Sequence, residues 1–322
     1  MFLRPMRSGE IVDAALTAFR NIGYRILIQT LLPSVLVTIG ILFVSGPVLK
    51  GFFFSTSKDI WSQVYESGVV LGIGVLVSVP LISLGVVYIN TLTCVMASDF
   101  VAGNLPNAQS AIQISNRYIG RMLLLTIRQF LTVIVAYGIA FGISALSAFV
   151  NVSTRNENIA AALVAFLAIL GWVAAIIYSL WFLASSAIDA PALVIENLTV
   201  KQAMKRGSQL LTNTMRYGDG GKYSVVSIWL LMGLMLLILP ISFSSLYALI
   251  GGLVPKGIQV LPVYEMLFYA VPTLIAVWFL VPVWGIASTL IYFERRVRLE
   301  GYDVEVLAQD VWRTNKDARF QL

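Results

Sequence analysis

The sequence predicts an all-α polytopic membrane protein, with six transmembrane helices arranged as three repeats of an amphipathic helix plus two spans. Three observations predict it. The 322 residues are 58% hydrophobic and only 12% charged, where an ordinary soluble domain is about 25% charged. Six apolar stretches reach the ~20 residues that a helix needs to cross a bilayer. The basic residues sit almost wholly in alternate connections, the asymmetry that orients membrane helices. With a mean hydropathy of +0.86, the chain has too little polar surface to cover itself in water, so lipid must solvate most of it. These figures exclude a soluble enzyme, a disordered chain and a nucleic-acid-binding module.

The elements follow in order. Residues 8–25 read as a short amphipathic helix: Glu10 and Asp13 follow Ser8 in a first turn, where the helix dipole favours acids. Ile11, Ala15, Phe19 and Ile22 fall on one stripe, the pattern of a helix lying in the interface. The first span, near 26–48, starts late, has a long apolar core and lacks a small-residue cleavage motif, so it is expected to be retained rather than removed as a signal peptide. The second span is placed at 68–97. A second short helix follows near 106–121, with Pro106 suited to its first turn, and then spans at 120–150 and 159–187. The third short helix begins at Thr199, which with Gln202 forms a capping-box pattern. The last two spans are placed at 224–250 and 265–292.

Those short helices carry the repeat. Shifted by 97 positions, Ala14 meets Ala111, Arg20 meets Arg117, Ile22 meets Ile119 and Gly23 meets Gly120. Ala203 and Leu211 of the third copy align with Ala14 and Ile22. The expected organisation is one membrane domain over 1–322, with repeat units near 8–97, 105–187 and 199–293, and a tail at 294–322. Within the tail, Val304, Leu307, Ala308 and Val311 stand at helical spacing, which predicts a helix over 303–314 docked on the bundle. The longest connection, 188–223, has about 36 residues, and segments below about 40 residues rarely build their own core.

Of the 22 Lys and Arg residues, all but Lys50, Lys58, Arg155 and Lys256 fall in the N-terminal segment, the 98–121 and 188–223 connections, the tail, or just inside the third span at Arg128. That places both termini on the cytoplasmic side of a multi-pass protein.

Chemistry-bearing residues are few. Histidine is absent, which removes histidine-based acid–base catalysis, haem ligation and zinc sites. The single cysteine, Cys94, cannot form an internal disulfide. No catalytic residue, metal site or cofactor is expected. What remains is a set of charges at span ends. Asp99, Asp189 and Glu294 close the second span of each unit, and Arg25, Arg121 and Lys222 open the first. They read either as ordinary interfacial charges, paired weakly or not at all, or as a ring of sites for anionic headgroups. Arg128 lies seven residues beyond Arg121, about 10 Å deeper at 1.5 Å per residue. It either snorkels to the surface or pairs with Asp99, Asp189 or a lipid phosphate, with Gln129 beside it.

The other polar residues of the spans, such as Thr30, Asn90, Thr91 and Thr93, are expected to hold helices together. The absence of deep carboxylates argues against ion-coupled transport. Pro33, Pro80, Pro240, Pro272 and Pro282 interrupt spans and permit kinks. Trp278 and Trp284 lie inside the sixth span, away from the usual aromatic belt, and read either as bundle packing or as a face for a partner, a pigment or a hydrophobic ligand.

Three segments resemble one family. Arg4-Pro5 with Gly9-Glu10-Ile11-Val12-Asp13 is similar to the opening motif of the bacterial glycerophosphoryl diester phosphodiesterase membrane-domain family. Pro191-Ala192-Leu193-Val194-Ile195-Glu196, leading to Ala203 and Arg206, is similar to its central motif. Tyr292-Phe293-Glu294, then Arg296, Arg298 and Glu300-Gly301-Tyr302-Asp303, is similar to its closing motif. Glu294 stands where that family usually carries Asp, and Arg295 where an apolar residue is usual. The resemblance implies a six-helix protein of the bacterial inner membrane and no phosphodiesterase activity, because that chemistry belongs to a separate soluble domain.

The expected function is therefore a non-catalytic membrane protein that organises lipids or serves a larger membrane assembly. A transporter or lipid permease is the alternative. The expected partners are anionic lipid headgroups and other membrane subunits or copies of the chain, and not nucleic acid.

Overall fold

The computed structural model describes residues 6, 8–53, 60–104, 106–153, 159–212 and 262–301. The described residues are helical, with no strand among them. The helices are α1 (Ser8–Phe53), α2 (Ile60–Val101), α3 (Ala108–Ser153), α4 (Ile159–Ser186), α5 (Asp189–Ile195), α6 (Val200–Thr212) and α7 (Pro262–Glu300). Five stretches among them are long and apolar enough to cross a membrane: Gly9–Phe43, Leu76–Val101, Ala108–Ser144, Phe166–Ile195 and Ala270–Glu300. The expected span at 224–250, Lys222 and the expected tail helix at 303–314 lie outside the described residues.

The first two short helices do not exist as separate elements. α1 and α3 each run unbroken for 46 residues, about 69 Å at 1.5 Å per residue, against a hydrocarbon core of about 30 Å. No proline stands between Ser8 and Arg25 or between Ala108 and Arg121. A break there would strand four N–H and four C=O groups, so the helix propagates from the polar turns straight into the apolar ones. Only the third copy, α6, is a separate short helix with a strongly one-sided apolar face.

Helix ends are set locally. α2 closes on Gly103, whose φ of 81° only glycine adopts readily. Gly103 N–H donates to Phe100 O at 3.1 Å and Asn104 N–H to Asp99 O at 2.9 Å, the paired bonds of a Schellman stop. α3 opens on Asn107 rather than in a turn containing Pro106: the Asn107 side chain accepts from Gln109 N–H at 3.0 Å. At α6, Gln202 Oε1 accepts from Thr199 N–H at 3.1 Å, as the capping pattern predicts. The Thr199 hydroxyl donates to the same oxygen at 2.8 Å.

α1, α2 and α7 pack against one another, α2 also carries α3, and α3 pairs with α4. The α5–α6 turn caps the end where α1 and α3 begin and α2 and α7 finish, touching α2, α3 and α7. The buried core gathers at this end: Ile11 and Ile22 from α1, Met96 from α2, Met122 from α3, Leu193 from α5, Leu210 from α6 and Tyr292 from α7. Close approach of α2 and α7 depends on Gly285, where a Cβ would overlap Thr93, the small-residue packing typical of membrane helices. By contrast, α3 and α4 leave Ile134, Val135, Ile139, Phe166, Ile169 and Ile177 exposed. Water would not tolerate so long an apolar face, whereas lipid matches it.

Several span hydroxyls donate to their own helices, while Ser144 of α3 also accepts from Trp172 Nε1–H of α4 at 2.8 Å. Thr30 donates to Ile26 O, Thr91 to Val87 O and Thr93 to Ile89 O, at 2.6–2.9 Å. An i−4 carbonyl is always within reach in a helix. The sixth-span tryptophans do serve packing: Trp278 Nε1–H donates to Leu27 O of α1 at 2.8 Å, and Trp284 packs against the core.

Candidate functional site

The polar chemistry concentrates at the capped end. Among the described residues, Arg25, Arg121, Asp99, Asp189 and Glu294 form no ion pairs with one another. Arg25, exposed on α1, donates from Nη1 to Pro106 O at 2.7 Å, tying α1 to the α2–α3 connection. Arg121, exposed on α3, donates to Asn197 Oδ1 at 2.9 Å. Tyr118 O–H donates to the same oxygen at 3.2 Å. Asn197 occupies the α5–α6 turn with φ 52°, a left-handed conformation that asparagine tolerates better than most residues. Leu198 N–H donates to Leu193 O at 3.2 Å and completes that turn.

Two of the three carboxylates are enclosed by protein instead of standing as exposed charges. Glu294 is 1% exposed and Asp189 2%, both enclosed by neighbouring helices rather than by water. Asp99 is half-buried at the end of α2. Glu294 pairs along its own helix with Arg298 and, at 3.0 Å, with the equally buried Arg295. Burying a carboxylate costs several kcal/mol unless a base accompanies it, and Arg295 accompanies this one. Arg298 Nη2 reaches on to Met6 O at 3.0 Å, just before α1. Asp189, the first residue of α5, faces Gln129 of α3 and lies so close to Gly207 of α6 that a Cβ there would collide with Oδ1.

Arg128 takes neither carboxylate expected for it. It is exposed on α3, and no described residue forms an ion pair with it. It heads an outward groove of about 520 Å³ lined by Leu131, Thr132, Val135, Ala136, Ile139 and Tyr178. The Thr132 hydroxyl is turned away to Arg128 O at 3.0 Å.

One cluster has no counterpart in the site residues expected from the sequence. Arg206 of α6 donates from Nε to both oxygens of Glu196, at 3.1 and 3.2 Å. Its Nη2 pairs with Glu300 Oε1 at 2.6 Å. Arg296 reaches Glu300 at 3.1 Å and lies 3.9 Å from Glu196. Its guanidinium also stands 5.8 Å above the Tyr292 ring, a cation–π distance. Tyr292 O–H donates to Glu196 Oε1 at 2.5 Å. Burial alone lowers the basicity of Arg206, but the hydrogen bonds and charges of Glu196 and Glu300 outweigh it and hold the guanidinium above its usual value.

Two guanidiniums face two carboxylates, so the cluster balances its own charge and fastens α5 and α6 to the end of α7. All its members lie in the central and closing motif segments singled out in the sequence, and Arg298 joins the closing segment to Met6 beside the opening one. Those motifs were the available signal, but they did not say which residues pair.

Neither cluster resembles a catalytic constellation with a nucleophile held against a base. Among the described residues no group of three or more Cys, Asp or Glu could hold a metal ion. The chain matches no protein-family model, no curated protein and no solved structure.

Proposed function

We propose that this chain is a non-catalytic integral membrane protein that organises anionic lipids, alone or as an accessory subunit of a membrane assembly. One observation carries the reading. Glu196, Glu294 and Glu300 are taken up in internal ion pairs, while Arg25, Arg121 and Arg128 stay exposed with no carboxylate partner among the described residues. A carbonyl and an amide oxygen orient Arg25 and Arg121 without cancelling their charge. Such cations at headgroup level each add about 1 kcal/mol of attraction to an anionic leaflet.

The finer features belong to the same proposal. Six spans cross the membrane in three repeats, with the span at 224–250 completing the set. Both termini and the α5–α6 cap lie in the cytoplasm, and the membrane is a bacterial inner membrane. Membership of the glycerophosphoryl diester phosphodiesterase membrane-domain family belongs to the same proposal and rests on the three motif segments of the sequence.

Purification of the full chain in mild detergent, with mass spectrometry of everything retained, tests the reading. The expected result is anionic phospholipid at a fixed ratio to protein, with or without partner subunits. A preparation that retains neither, and that supports solute flux in proteoliposomes, would replace it with a transporter.

A further inference from the structure

We propose that the α3–α4 groove headed by Arg128 is a site for one anionic phospholipid, with the phosphate on the Arg128 guanidinium and one acyl chain along the apolar floor. The inference rests on the lipid-organising reading and gives it a location and a stoichiometry. Arg128 shares a helical face with Arg121, since seven residues are nearly two turns. Asn197 and Tyr118 engage Arg121, so it marks the level of the cap. Arg128 stands about 10 Å deeper along α3, at the inner edge of the headgroup layer in this reading, where a lipid phosphate can meet it. No described residue neutralises it, although Asp189 lies in the same region of the fold, facing the neighbouring Gln129.

Below it the groove is floored by Leu131, Val135, Ala136 and Ile139, and Tyr178 of α4 forms its wall. Tyr178 is itself stacked on Phe182, with ring centroids 6.2 Å apart. Thr132 spends its hydroxyl on the helix backbone and offers the groove its methyl. From Arg128 to Ile139 the floor runs about 16 Å, half of a hydrocarbon core of about 30 Å. That is the depth of one leaflet. A cation at the top and an apolar channel one leaflet long below it fit a phosphate diester with an acyl tail. A soluble anion would use only the top, and a neutral lipid only the channel.

The test uses the full chain in mild detergent and native mass spectrometry, with phosphatidylglycerol and phosphatidylcholine of identical acyl chains as probes. Wild type is expected to retain one phosphatidylglycerol per chain in preference to phosphatidylcholine. Arg128→Gln should lower that occupancy about tenfold, the loss of a charge-assisted phosphate contact, and Arg128→Lys should keep most of it. Val135→Trp, which fills the groove from its floor, should displace the lipid with no change of charge. Ile134→Trp, equally bulky but outside the groove, should not.

Wild-type occupancy in Arg128→Gln, or in Val135→Trp, overturns the site. So does displacement by inorganic phosphate, which would mark a soluble-anion site. If the site falls while anionic lipid still co-purifies, the lipid-organising reading stands without it; if wild type retains no anionic lipid at all, both fall.

Discussion

Tyr292 of α7 donates its phenolic hydrogen bond to Glu196 Oε1 at 2.5 Å, across 96 residues of sequence. Glu196 also accepts from Arg206, so one carboxylate holds α7 and α6 to the end of α5. Glu196→Gln leaves Arg206 half-buried with only Glu300, and should cost about 1–3 kcal/mol, the penalty of breaking a charged hydrogen bond. Tyr292→Phe removes one neutral donor and should cost about 1 kcal/mol. Because both act on one oxygen, the double variant should lose less than the sum. Thermal unfolding in detergent measures all three, and strict additivity would show that the cluster does not act as a unit.

The all-α class and the apolar stretches are legible in the sequence because hydropathy is a property of each segment by itself. The Gln202 cap is legible because its partner, Thr199, is three residues away. The burial of Glu294 and Asp189 is not legible, because it depends on how α7, α5 and α6 rotate against their neighbours. The pairs Arg206–Glu300 and Arg298–Met6 span 94 and 292 residues, and no local pattern specifies them. The continuity of short helix and span in α1 and α3 is not legible either. A change in polarity marks where a helix leaves the headgroups, and it does not mark where the helix stops.

Orientation is testable by single cysteines. Cys94, the native thiol, is fully enclosed, so background labelling should be low. Asn104, exposed just after α2, and Ser153, the last residue of α3, lie at opposite ends of the bundle. The excess of basic residues at the Asn104 end predicts that Ser153→Cys reacts with an impermeant maleimide from outside the cell. Asn104→Cys should react only in inverted vesicles. The reverse pattern would invert the topology, and with it the side on which the cap meets lipid.

Gly207 should reject a methyl group that Gly120 accepts. Alanine normally stabilises a helix interior by up to about 1 kcal/mol over glycine, and nothing stands within 4 Å of a Cβ at Gly120. At Gly207 the same Cβ collides with Asp189 Oδ1, so either the buried carboxylate must turn from its place facing Gln129 or α6 must shift. Gly207→Ala should therefore lower the melting temperature and Gly120→Ala should not. Adding Asp189→Gly should recover part of the Gly207→Ala loss, because it removes the colliding oxygen. Equal tolerance of both alanines would mean that α6 is not seated on Asp189.

Asn197 combines two requirements that substitution can separate. Its φ of 52° lies in the left-handed region, which costs an ordinary residue about 1 kcal/mol and glycine almost nothing. Its Oδ1 accepts from Arg121 and Tyr118 at 2.9 and 3.2 Å, fixing the α5–α6 turn to α3. Asn197→Gly keeps the backbone and loses only the acceptor. Those bonds are solvent-exposed, so the loss should be about 1 kcal/mol or less. Asn197→Ala loses the acceptor and adds the backbone strain, so it should be the more destabilising by about 1 kcal/mol. Asn197→Asp keeps both the left-handed tolerance and the acceptor, and turns the Arg121 contact into an ion pair. It should be at least as stable as wild type at low salt, with the gain fading as salt screens it. It also neutralises Arg121, one of the exposed arginines, so anionic lipid retained on purification should fall even as stability holds. If Asn197→Gly proves as damaging as Asn197→Ala, the side chain rather than the backbone sets this turn. If Asn197→Asp leaves lipid retention unchanged, Arg121 has no part in attracting the leaflet.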